Sequence, residues 1–191
     1  HKSLYPQFVA SPFENLDAFA LKVLDEGVRS VRMVPTVYRF PFRDWAIKKW
    51  LDWMTSEQIS LWLPVRFNLQ GTQNSMTVGS LDPTEIHETL TCHPDLTAVL
   101  CDVNYMDLPW VIMLLKNTPN LCLEMSGVVN TDGIKIALDA IGEQRILFGS
   151  GFPDRAIPPQ IYHIHRYGLD ESTMKRICSE NLERLLGLDK I

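Results

Sequence analysis

The chain has 191 residues, is 46% hydrophobic and 21% charged, and carries a formal net charge of -5. That composition can build a packed core and excludes disorder over most of the length. The acidic balance argues against nucleic acid as a partner, and no apolar run approaches the roughly 18 residues of a membrane span. The reading is of a single domain over 1–191 in the cytoplasm, with a small-molecule substrate and neither nucleic-acid nor membrane partners. His1 opens the sequence with no charged-then-apolar leader behind it, so no targeting signal is expected and the start resembles the inside of a longer chain.

Short apolar runs alternate with longer amphipathic ones. In chain order the predicted elements are strand Gln7–Ala10, helix Glu14–Glu26, strand Ser30–Val34, helix Arg43–Glu57 and strand Ser60–Val65. A polar stretch, Phe67–Leu81, follows; ordered loops of that length often lie over a binding face, a plain surface excursion being the alternative. Then come helix Pro83–Thr91, strand Ala98–Asp102, helix Leu108–Asn117, strand Leu121–Met125, helix Thr131–Ile141 and strand Arg145–Gly149. Most strands read as continuous apolar segments, the pattern of a parallel sheet covered on both faces. Ser11-Pro12 and Asp82-Pro83 read as helix starts, Gly27 and Gly142 as helix stops. Met174, Ile177, Cys178, Leu182, Leu185 and Leu186 fall at three- and four-residue spacings, which predicts a closing amphipathic helix ended by Gly187.

Repeated strand–helix units point to an α/β fold, either a closed barrel or an open doubly wound sheet. Cys92, Cys101, Cys122 and Cys178 form no C-x-x-C pair and read as reduced thiols in or near the core. Trp50 and Trp53 share a helix face and are expected to pack on the sheet or on a subunit neighbour, which leaves a homo-oligomer open. No lysine closes a strand and no G-x-G-x-x-G follows one, so neither Schiff-base chemistry nor dinucleotide binding is indicated.

Three phrases carry a family resemblance: Glu26–Pro35 (EGVRSVRMVP), Pro119–Gly127 (PNLCLEMSG) and Arg145–Pro153 (RILFGSGFP). With the closing Glu180–Leu188 (ENLERLLGL), they resemble the amidohydrolase-related TIM-barrel family over almost the whole length. The resemblance implies a (β/α)8 barrel of which this chain supplies about six βα units, strands three to eight. It also implies a zinc or other divalent-metal site, whose His-x-His on the first strand has no counterpart here. At the other ligand positions the sequence departs from the pattern: Arg66 and Asp102 replace histidines, and Gly151 replaces an aspartate. The expectation is a degenerate metal site with no cofactor retained. His163-Ile164-His165 is a decoy, because residues two apart on a helix point to different sides.

In such a barrel the residues just past each strand share one rim. Here they are Thr36, Arg66, Asn68, Asp102, Asn104, Ser126, Ser150 and Asp154. The candidate catalytic residues are Asp102, Arg66 and Asp154, with Arg66 and Asp102 facing each other as a carboxylate receptor or as an ion pair filling a vacated metal site. Asn68, Asn104, Ser126 and Ser150 are the candidate substrate-binding residues. Glu124, inside a strand, reads as a structural hydrogen-bonding partner, and Gly149–Gly151 as a place for phosphate. The expected function is that of a hydrolase of a small polar or carboxylated substrate. The alternative is a metal-free, non-catalytic relative serving as a binding or assembly scaffold.

Overall fold

The computed structural model describes residues 4–66, 81–130, 132–153 and 155–188. Six strands form one parallel sheet in sequence order: β1 (Phe8–Ala10), β2 (Ser30–Met33), β3 (Ser60–Pro64), β4 (Ala98–Cys101), β5 (Leu121–Glu124) and β6 (Ile146–Leu147). The helices between them are α1 (Leu16–Asp25), α2 (Pro35–Tyr38), α3 (Asp44–Ser56), α4 (Pro83–Cys92), α5 (Leu108–Asn117) and α6 (Gly133–Ile141). After β6 come α7 (Ile157–Arg166), α8 (Glu171–Lys175), a π turn over Arg176–Glu180 and α9 (Asn181–Leu185). The fold is α/β with partial barrel units, as the alternation of runs implied.

Side chains alternate along each strand, so each strand has an outer and an inner set. The outer set, including Val31, Met33, Leu61, Leu63, Leu100 and Leu123, packs with Ile47 and Leu51 of α3, Leu90 of α4, Val111 of α5 and Ala137 of α6. The inner set is smaller and mixed. Trp62, Val99, Cys122 and Leu147 pack together, joined by Leu185 of α9. Register places Arg32 beside Trp62, and Trp62 beside Val99, along the same inner face. Strands β4 and β5 are buried throughout, whereas β1 is an edge strand with Val9 47% exposed.

Local chemistry sets the element ends. Asp82 caps α4, its carboxylate accepting from the Thr84 amide at 2.8 Å, with Pro83 in the first turn. The start of α1 differs from the expectation at Ser11-Pro12: Asn15 is the cap, accepting from the Ala18 amide at 2.9 Å. Gly27, Gly142 and Gly187 all adopt positive φ, the conformation a helix stop needs. Strand β6 is shorter than Arg145–Gly149. Arg145 belongs to a single 3-10 turn, and the Phe148 amide leaves the ladder to donate to the Ile177 carbonyl in the π turn at 2.9 Å.

Trp50 and Trp53 pack edge-on against Phe19 of their own chain, with ring centroids at 5.2 and 6.0 Å. All four cysteines are free; Cys101 and Cys122 are buried, and Cys92 and Cys178 are exposed. Burial pushes the Cys101 thiol well up and the Cys122 thiol to about 11, so both stay protonated and pack as small apolar groups. Among the described residues no helix is long and apolar enough to cross a membrane.

The closing helix is pinned by Asn181, whose buried amide donates to the Glu143 and Ile146 carbonyls, each at 2.7 Å. Asn181→Ala strands both carbonyls, and urea unfolding is expected to show a loss of about 2 kcal/mol.

Candidate functional site

At the C-terminal ends of the strands lies a cavity of ≈ 320 Å³, lined by Arg32, Arg66, Arg155, Asp102, Asn104, Glu124, Ser126 and the aromatic rings of Trp62, Phe148 and Phe152. Such a placement is where parallel α/β folds put their chemistry. Each charged group in it has a definite partner.

Arg66 closes β3 and forms a two-point fork on Asp107, with Nε and Nη2 donating at 2.8 and 2.7 Å. The Asp107 side chain is 3% exposed and also accepts from the Trp110 indole at 3.2 Å. The guanidinium holds the Asp107 carboxyl below the usual carboxylate range. Arg66 is therefore paired with Asp107 and not with Asp102, the ion-pair partner expected from sequence. Asp107 directly precedes α5, a position that reads as a helix cap, but its side chain turns back to Arg66 and makes no capping bond.

Asp102 faces Arg32 instead, with Nη1 3.7 Å from Oδ2. Arg32 sits on the inner face of β2, and its Nε donates to Gln7 Oε1 at 2.7 Å. Asp102 adopts a left-handed backbone at φ 55, which ends β4 abruptly at the mouth. Asparagine and aspartate tolerate this conformation better than most residues.

Glu124 ends β5 and is 7% exposed. Its two oxygens take the Ser126 amide and hydroxyl, each at 2.8 Å. Burial pushes its carboxyl above the ordinary glutamate range; the Ser126 bonds oppose that and the Asp102 charge adds to it. The carboxyl lies flat on Gly149, where an added Cβ would sit 1.3 Å from Oε1. Glu124 thus takes up space at Gly149 that a phosphate at Gly149–Gly151 would need.

The remaining candidates divide. Ser126 lines the cavity, but its carbonyl accepts from Arg155 Nη1 at 2.7 Å and from Gln160 Nε2 at 2.8 Å, so its polar groups all serve the protein. Asn104 lines the mouth while accepting from the Met106 amide at 3.2 Å, and Ser150 accepts from the Phe152 amide at 3.3 Å. Thr36, on α2, has a buried hydroxyl with no hydrogen-bond partner among the described residues and does not line the cavity. Asn68 and Asp154 lie outside the described residues, as does most of the Phe67–Leu81 stretch.

Sequence reading missed Arg32, Asp107 and Arg155. A charge inside the apolar run Ser30–Val34 was the signal for Arg32; Arg155 had none.

The amidohydrolase family model matches residues 9–188. The chain belongs to the amidohydrolase family. No curated protein sequence matches it. Among solved structures it is similar to an uncharacterized TIM-barrel protein from Bordetella bronchiseptica, at 24% identity and TM-score 0.71, covering 98% of this chain and 68% of that one. A 5-carboxyvanillate decarboxylase from Sphingomonas paucimobilis follows at 12% identity and TM-score 0.70, covering 94% of this chain and 65% of the enzyme. A dihydroxybenzoic acid decarboxylase from Polaromonas sp. JS666, with bound manganese and the inhibitor 2-nitroresorcinol, gives 16% identity and TM-score 0.70 over 96% of this chain and 69% of that one. The chain spans about two thirds of the length of these proteins.

The family implies a divalent metal, and the donors among the described residues do not fit one. Among the described residues no three His, Cys, Asp or Glu side chains are placed to hold a metal ion together. Arg66 has no donor atom to give a cation, Glu124 is wrapped by Ser126, and Gly151 has no side chain.

The raised Glu124 carboxyl makes the folded chain hold its proton more tightly than the unfolded chain does. The stability from this proton is full below the ordinary glutamate range and is lost as pH rises through the folded value. Glu124→Gln keeps an acceptor for the Ser126 amide and removes the loss. Scanning calorimetry is expected to show the variant's Tm advantage widening from about pH 4 to about pH 8. Gly149→Ala drives a methyl into the same carboxyl and is expected to cost about 3 kcal/mol in urea unfolding.

Proposed function

We propose that this amidohydrolase-family chain recognises a small carboxylated substrate and acts on it at the strand-end cavity. The observation that carries this reading is the meeting of three guanidinium groups, Arg32, Arg66 and Arg155, with three aromatic rings in one cavity of ≈ 320 Å³. Arginine forks match carboxylates in two-point geometry, and the rings of Trp62, Phe148 and Phe152 suit a flat apolar body. The decarboxylase neighbours act on carboxylated aromatic acids by name, which supports the same substrate class.

Within this reading Arg32 seats the carboxylate and Trp62, its neighbour on β3, packs against the body of the substrate. Asp102 is the acid–base residue. Its carboxylate is 36% accessible at the mouth and stands 3.7 Å from the Arg32 guanidinium. Glu124 keeps a backing role, its carboxyl buried and wrapped by Ser126. The metal site of the family is read as degenerate in this chain, and proton movement at Asp102 serves hydrolysis or loss of the carboxyl group alike. The Arg66–Asp107 ion pair favours a second reading, a binding scaffold without turnover, since it neutralises a group that a catalyst would leave available.

Titration calorimetry with 2,6-dihydroxybenzoate against resorcinol, paired with chromatography of the mixture, tests both. Tighter binding of the carboxylate by about 10-fold or more is expected, the worth of one charge-assisted contact. Equal affinity for the two ligands would sink carboxylate recognition. Binding without any new product would favour the scaffold.

A further inference from the structure

We propose that the working cation of this mouth is the guanidinium of Arg32, which takes the electrostatic place that a divalent ion holds in the family. The inference rests on the carboxylate-recognition reading and deepens it: the substrate is fixed by a charge built into the chain.

Position comes first. Arg32 lies on the inner face of the sheet, in register with Val9 on one side and Trp62 on the other. Its side chain is 30% exposed, partly shielded but open to the cavity. Orientation follows from two neighbours. Gln7 takes the Nε hydrogen at 2.7 Å, and Asp102 stands 3.7 Å from Nη1, too far for a hydrogen bond but near enough to hold the charge. Among the described residues neither Nη1 nor Nη2 makes a hydrogen bond. Those two terminal nitrogens are therefore free to grip both oxygens of a carboxylate.

The positions that ought to carry metal ligands have been refitted around guanidinium groups. Asp102 offers its charge to Arg32. Arg66 is tied to Asp107. Gly151 is the most telling: its φ is +68, and a Cβ there would stand 3.1 Å from Cδ of Arg155 and 3.4 Å from its Cβ and Cγ. An aspartate at 151 would need a strained backbone and would crowd Arg155, whose Nη1 is committed to the Ser126 carbonyl. A divalent ion would meet the like charges of Arg32 and Arg155 here, with few donors to offset them.

A guanidinium does not leave with a chelator and does not deprotonate in the working range of pH. The test is titration calorimetry of 2,6-dihydroxybenzoate into the full chain, as purified, after EDTA treatment and with added Mn2+, and then into Arg32→Lys and Arg32→Met. The expected result is an affinity unchanged within about twofold across the three metal conditions, which needs no variant to fold. Arg32→Met is expected to lose about 30-fold or more, and Arg32→Lys less, because a point charge keeps the attraction without the fork. Loss of binding on chelation, tightening of about tenfold with Mn2+, or full affinity in Arg32→Met would each overturn the inference while leaving carboxylate recognition standing. No binding in any condition would overturn both.

Discussion

The strict two-residue alternation of parallel strands is the constraint on which this molecule depends. One side of each strand must satisfy a helix layer, and it does so with Val, Leu, Ile, Met, Ala and Phe. The other side is released from that duty and carries Arg32, Trp62, Cys101 and Glu124 toward one cavity. A slip of one residue in β2 would drive Arg32 into the helix layer and Val31 or Met33 into the mouth. The buried outer face therefore fixes the register, and the register aims the charges. Stability and site geometry are set by the same pairing.

Electrostatics in the mouth is organised by pairs of unequal tightness. Arg66 and Asp107 are locked by two short bonds, so neither can respond to a ligand without losing the other. Arg32 and Asp102 are loosely associated and can exchange each other for a substrate and a proton. Glu124 stands behind them, its oxygens wrapped by Ser126 and its face pressed on Gly149. Burial pushes a carboxyl so enclosed above the ordinary glutamate range. The same enclosure explains why residue 149 must be glycine.

The fold was largely legible in the sequence because burial on both faces leaves continuous apolar runs, and β2 to β5 fall within the predicted segments. The last strand was overread: Phe148 looks like a strand residue, yet its amide is taken by the π turn at Ile177, a contact between distant segments that no local pattern encodes. The site was legible as positions and illegible as pairings. Asp102 and Arg66 do flank the cavity, but Asp107 sits five residues beyond Asp102 on a different turn, and only the path of the β4–α5 loop brings it to Arg66. Ser126 was read as a binding residue from its place after β5; its three polar groups serve Glu124, Arg155 and Gln160. Spacing can name a rim but not the direction in which each rim residue turns.

Gly151 and Arg155 show how closely a position matched to a family ligand is tied to its surroundings. A missing side chain alone leaves room for its return. Here the Arg155 stem lies 3.1 Å from where a Cβ would stand, and the backbone holds a positive φ that few side chains adopt. Arg155 in turn braces the Ser126 carbonyl, and Ser126 braces Glu124. The change at 151 is thus tied through three contacts to a buried carboxyl on another strand. Family membership therefore carries the barrel architecture to this chain, while the charge that does its work must be argued from the residues it actually holds.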